Sequence, residues 1–180
     1  MMAIIAFLLG IFSWTLTEYF LHRFLGHVYG KNTPFGKLHR KHHAEKDYFD
    51  APINKFKTAI KVVLIMGLVG NYFFGILGGA FTVGFVLMYG AYEYLHHLLH
   101  VKAPVTAYGR WARRHHFYHH FEKPTHNHGV TSPLWDIVFG TYAKPRIVRV
   151  PRKFVMRWLT DGHEKIWRSL RSDYSLRGQR

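Results

Sequence analysis

Two long stretches of the chain are almost wholly apolar, residues 2–21 (MAIIAFLLGIFSWTLTEYFL) and residues 62–99, and the remainder is polar and basic. The first supplies about the 20 residues that a helix needs to cross a bilayer. It lacks a leading basic segment and runs into Glu18 and His22 without a small-residue cleavage site, which predicts a retained span rather than a signal peptide. The second stretch is too long for one crossing. Gly78-Gly79 near its middle predicts a turn between spans near 60–77 and 79–98, and Gly75 with Gly79 forms a G-x-x-x-G that would let a helical hairpin pack closely.

Charge placement supports three spans. Of the 25 Lys and Arg residues, none lies in 1–22, nine lie in 23–61, none lies in 62–101 and sixteen lie in 102–180. Three crossings put 22–61 and 100–180 on the same side, which the positive-inside rule makes cytoplasmic, C-terminus included. Topology and anionic headgroups then account for the formal net charge of +15, so no nucleic-acid partner is expected. With no cysteine, the chain has no disulfide, thiolate-bound haem or iron–sulfur cluster.

The polar segments carry an unusual density of histidine. Leaving His97 aside, ten of fifteen fall into four clusters, H22-R-F-L-G-H27, H39-R-K-H42-H43, H96-H-L-L-H100 and H116-F-Y-H119-H120, while His163 lies outside them all. Residues three and four apart share a helical face. His39 with His42 and His43, His96 with His100, and His116 with His119 and His120 are therefore each expected to point at a common centre. A lone histidine is more often a surface or hydrogen-bonded core residue, and a pH-sensing cluster needs no repeated spacing. Neutral imidazole is the commonest metal ligand, and one ion takes about four to six ligands, so ten imply two metals. The predicted spans bring all four clusters to one membrane boundary. A transporter would instead set ligands along the midplane. T17-E-Y-F-L-H22 also echoes Y92-E-Y-L-H96-H97, as though one unit occurred twice.

Carboxylates are candidates to orient these imidazoles. Glu18 is four residues before His22 and Glu93 three before His96, each at or within a span, where a carboxylate is costly and usually functional. Asp136, after Trp135, is expected to cap a helix or orient a histidine. Residues 144–180 hold eleven Lys or Arg against three acids, with Phe154, Trp158, Ile166, Trp167 and Leu170 interspersed. That mixture suits a helix lying on an anionic membrane surface or a docking face for an acidic electron donor. The expected organisation is a membrane domain with the metal site over 1–143 and a basic amphipathic segment over 144–180.

These motifs, with F49-D50 and G129-V-T-S-P-L-W-D136, resemble the integral-membrane fatty acid hydroxylase/sterol desaturase superfamily over about residues 14–142, and fatty acid 2-hydroxylases in particular. The resemblance implies an all-α integral membrane scaffold of four helices, against the three spans counted here, under a cytosolic helical cap. It implies a dimetal site ligated by His22, His27, His39, His42, His43, His96, His100, His116, His119 and His120, with no separate catalytic residue. His97 and His115 would stand beside the ligands, and His128, where relatives carry an aromatic residue, would add polarity at the substrate entrance. Two iron ions are the implied cofactor, with zinc as a substitute, and O₂ is the co-substrate. The implied reaction is hydroxylation of a lipid acyl chain near its carbonyl; sterol or carotenoid hydroxylation or desaturation is the alternative within the superfamily. The chain has no dinucleotide or flavin fingerprint and lacks the cytochrome b5 domain of many fatty acid 2-hydroxylases. Electrons are therefore expected from a separate protein, cytochrome b5-like or ferredoxin-like. Oligomeric state is not legible.

Overall fold

In a bilayer core no water satisfies the peptide groups, so apolar runs of this length must bond internally, as helices. The computed structural model describes residues 1–45, 48–162 and 165–178, and these form α1 (Met2–Phe20), a π-helical continuation (Leu21–Val28), α2 (Pro34–Ala44), α3 (Pro52–Phe74), α4 (Ile76–Val101), α5 (Ala107–Phe121) and α6 (Leu134–Val138). Three helical stretches are long and apolar enough to cross a membrane: Met2–Val28, Pro52–Phe74 and Ile76–Val101. α3 buries none of its residues, and its exposed Leu64, Ile65, Leu68 and Phe73 present a surface suited to lipid. His163 lies outside the described residues.

The chain divides into two compact units, Met1–Glu18 with Phe49–Tyr94, and Tyr19–Tyr48 with Leu95–Arg180. In the first, the turn between the apolar helices falls at Gly75 rather than at Gly78-Gly79. Gly75 ends α3 at φ 55°, and its amide donates to the Asn71 carbonyl at 2.9 Å. That left-handed conformation is one glycine adopts without steric cost. The close helix approach is correspondingly made by Gly70 and Gly78 instead of Gly75 and Gly79: a Cβ at Gly78 would lie 2.0 Å from the Gly70 carbonyl oxygen. α1 and α4 meet in the same way at Gly10 and Gly84, beside Trp14, whose ring packs on Phe85, Tyr89 and Tyr92 at 5.3, 4.8 and 5.5 Å. Glu93 has a partner the sequence did not point to. Lys55 on α3 donates to its carboxylate at 2.5 Å, tying α3 to α4. Glu18 is buried.

In the second unit, Thr33 and Thr106 start α2 and α5 by accepting the amides of Gly36 and Gly109 at 3.1 and 3.0 Å. The segment beyond residue 144 is not the expected surface helix. Its prolines interrupt helix formation. Val148 and Val150 alternate inward around Arg149, the period of a strand. β1 (Val148–Val150) pairs in parallel with β2 (Tyr174–Leu176), and Met156, Leu159, Ile166 and Leu170 fill the space between them and Phe117 of α5. Arg110 and Arg114 of α5 hold Asp173 at 2.8 and 3.3 Å, and the Trp158 indole donates to the His100 carbonyl at 2.8 Å. These contacts brace α5 and the end of α4, both of which carry histidines.

Candidate metal centre

Each histidine cluster sits on a helix, and helix winding decides where each ring points. His22 and His27 are five residues apart, which in an α-helix would set them about 140° from each other. The chain solves this by switching to π-helix over Leu21–Val28, where i→i+5 bonding stacks residues five apart on one face. Their rings come to 5.4 Å.

The two H-x-x-H-H motifs behave differently from the expectation of one centre each. Residues four apart lie about 40° from each other around a helix, while the residue three along lies about 60° to the other side. His39 and His43 therefore turn together and His42 turns away; His116 and His120 turn together and His119 turns away. The donor nitrogens assemble as two groups of five, His22, His27, His39, His43 and His119 in one, His42, His96, His100, His116 and His120 in the other, all within 4.8 Å of one another in each group. Each motif gives its outer pair to the group of the helix end that precedes it and its middle histidine to the other group. The two halves of the chain follow the same rule, which extends the echo in sequence to the site itself.

Among the described residues, the two groups are made up of all ten expected positions, with no carboxylate. In the first, Nε2 of His27 lies 2.8 Å from that of His39 and 2.9 Å from that of His119, and the His119 and His43 nitrogens are 3.2 Å apart. In the second, the His100 and His116 nitrogens lie at 2.9 Å. An ion bound by imidazole nitrogens at about 2.0–2.1 Å puts adjacent donors about 3 Å apart, so the spacing fits a metal. Nε2 of His22 and of His120 is buried without a hydrogen-bond partner among the described residues, a costly arrangement that a bound cation would relieve. Burial first, then neighbouring imidazoles, hold His39, His43, His116, His119 and His120 well below the usual histidine pKa. They are neutral at pH 7, the form that ligates.

Three of the rings are oriented by the backbone. Nδ1 of His22, His42 and His119 lies 2.5, 2.9 and 2.8 Å from the carbonyls of His128, Tyr48 and His126. A carbonyl only accepts, so each Nδ1 carries the proton and each Nε2 presents its lone pair to the group. Carbonyls leave no mark in a sequence; the positive φ of Asn127, 59°, between two of them is the trace of the turn that aims them. Asp136 does orient a histidine, but it is His115, outside both groups, at 3.2 Å. It caps no helix, and it also accepts the amides of His128 and Gly129 and the Thr141 hydroxyl. Burial pushes its carboxyl up, but bonds from His115, Gly129, Thr141 and His128 outweigh that and hold it below the usual carboxylate range. His128 faces inward. It is buried, 5.2 Å from the ring of His119 and 5.4 Å from that of His22. His97 joins neither group.

The site and the apolar helices together define a helical protein with three candidate membrane spans and two histidine clusters able to hold metal. The fatty acid hydroxylase family model matches residues 7–141, and the chain belongs to that family. It is 35% identical over 143 residues to a dihydroceramide fatty acyl 2-hydroxylase of Arabidopsis thaliana, covering 77% of this chain and 60% of that one. It is 32% identical to a ceramide very long chain fatty acid hydroxylase of Schizosaccharomyces pombe, covering 77% of this chain and 42% of that one. The solved structure of full-length scs7p, in which only the hydroxylase domain is visible, superposes with a TM-score of 0.64 at 32% identity, covering 79% of this chain and 57% of that one. The chain thus spans about 60% or less of the length of these relatives.

Proposed function

We propose that this chain is a membrane-bound, O₂-dependent hydroxylase that acts on a lipid acyl chain near its carbonyl, with two metal ions held by the ten histidines. The observation that carries this reading is the sorting of ten imidazoles into two groups of five in a member of the fatty acid hydroxylase family. The relatives named for hydroxylation at the 2-position of a fatty acyl chain supply the choice of substrate class.

No side chain can oxidise an unactivated C–H bond, so two iron ions bound by these residues would supply the oxidising power, with one oxygen atom of O₂ entering the substrate and the other leaving as water. Zinc cannot change oxidation state, so zinc in the purified protein would be a substitute. The chain's own contribution is to bury or half-bury the ten imidazoles, to keep His39, His43, His116, His119 and His120 neutral, and to set the two groups side by side through α2 and α5, each of which serves both. Electrons come from a separate donor, cytochrome b5-like or ferredoxin-like, to which the exposed basic residues beyond residue 144, Arg152, Lys153, Arg157 and Arg168 among them, offer complementary charge.

The test is the metal content of protein expressed with iron, together with lipids from cells with and without the gene. Two ions per chain and an acyl chain hydroxylated next to its carbonyl are expected. One ion or fewer in folded, active protein would sink the dimetal assignment, and a modified sterol or carotenoid in place of a hydroxylated acyl chain would sink the substrate.

The sidedness follows from the charge map. Tags at the N-terminus and after Arg180 are expected to report opposite faces, the C-terminus being cytoplasmic with the metal site. Both tags on one face would require an even number of crossings and would move the site.

A further inference from the structure

Among the described residues, the carbonyls of the loop over residues 126–129 hold rings of the first histidine group. Its carbonyls at His126 and His128 hold His119 and His22, both of the first group. In the second group, the Nδ1 of His42 is held instead by Tyr48, outside the loop.

Two buried side chains shape this loop. Asn127 takes φ 59°, accepts the Ala143 amide at 2.7 Å and donates to the carbonyls of Ala143 at 3.1 Å and His115 at 3.3 Å. Asp136 accepts the His128 amide at 2.8 Å and the Thr141 hydroxyl at 2.7 Å on one oxygen, and the Gly129 amide at 2.8 Å and His115 Nε2 at 3.2 Å on the other. His115 stands one turn before His119 on α5, so the Asp136 carboxylate fastens the loop to the helix whose histidine the loop aims.

We infer that Asp136 and Asn127 are positioning residues for the first metal centre alone, aiming His22 and His119 through the backbone of the 126–129 loop and leaving the second centre untouched. The inference rests on the two-metal reading. Neither side chain reaches an ion; each acts on ligand orientation through a peptide carbonyl, and losses of this kind cost roughly 10–100-fold in metal affinity.

The experiment uses the full chain in detergent, loaded with iron and exposed to a graded chelator, with metal per chain and helical circular dichroism read together. In either orientation Asp136→Asn puts an amide NH₂ opposite one of the two loop amides, His128 or Gly129, so the loop loses a bond while the side-chain shape is kept. Asn127→Gly retains the left-handed backbone and removes only the side-chain bonds. Each is expected to release one ion at roughly 10–100-fold less chelator than the wild type and to keep the other. Adding His43→Ala, in the first group, should leave that one ion in place. Adding His120→Ala, in the second, should bring the content near zero.

Two ions retained as tightly as in the wild type in both variants would overturn the inference alone. So would equal loss of both ions from protein with native helix content. If Asp136→Asn fails to fold, Asn127→Gly decides by the same outcomes. Wild-type protein that never holds two ions would overturn the two-metal reading and the inference with it.

Discussion

Combining His119→Ala with His39→Ala is expected to leave one tightly held metal per chain, whereas combining His119→Ala with His116→Ala leaves almost none under a chelator that strips weakened sites. The first pair removes two donors from one group of five and none from the other. The second pair removes one donor from each, although both residues belong to the same H-x-x-H-H motif. Grouping by motif predicts the reverse order, so a single chelator series read by elemental analysis separates the two. All three single variants are expected to lose more than about 100-fold in turnover, above the range for residues that act only through a ligand. Equal metal retention in the two double variants would show that the centres do not exchange their middle histidines.

Gly84→Leu is expected to be among the most destabilising substitutions in the apolar helices. Its Cβ would lie 2.0 Å from the carbonyl oxygen of Phe7, and Gly10→Leu meets the Phe81 carbonyl oxygen at 2.1 Å from the opposite side of the same contact. The obstacle in both cases is backbone, which cannot rotate away, so α1 and α4 must separate. Overpacking typically costs about 1–3 kcal/mol and occasionally more; a clash with main chain belongs at or above the upper end. Gly67→Leu is the control, because nothing lies within 4 Å of its Cβ position. The comparison is the unfolding midpoint of each variant in the same detergent. A Gly84→Leu protein within about 0.5 kcal/mol of Gly67→Leu, the range of ordinary surface changes, would mean that the helices do not rely on this contact.

Membrane character, the number of apolar helices and the ten histidines that gather into two groups were legible in the sequence because each depends on local composition or on residue type. Hydrophobic length needs no tertiary information, and imidazole is a ligand wherever it stands. The hairpin was legible and its turn was not. Gly75, Gly78 and Gly79 are chemically alike, and only the packing partner, Gly70, assigns one to the turn and another to the crossing. The strand period at Val148 and Val150 was present, but the charge of the surrounding residues pointed to a surface helix, and the core against Phe117 decided otherwise.

What only the tertiary structure decided is which histidine joins which group and what holds it there. The sequence by itself determined that His22 and His27 lie five apart; tertiary packing selected the π-helical winding that puts them on one face. It also determined two identical motifs, while the azimuth of each helix between the two centres split each motif between them. The expected carboxylates, Glu18 and Glu93, were chosen because a side chain is visible in a sequence, whereas the partners of His22, His42 and His119 are peptide carbonyls. Every residue has such a carbonyl, so its use as an acceptor is set by loop geometry, and that geometry exists only once Asp136 and Asn127 have found their partners.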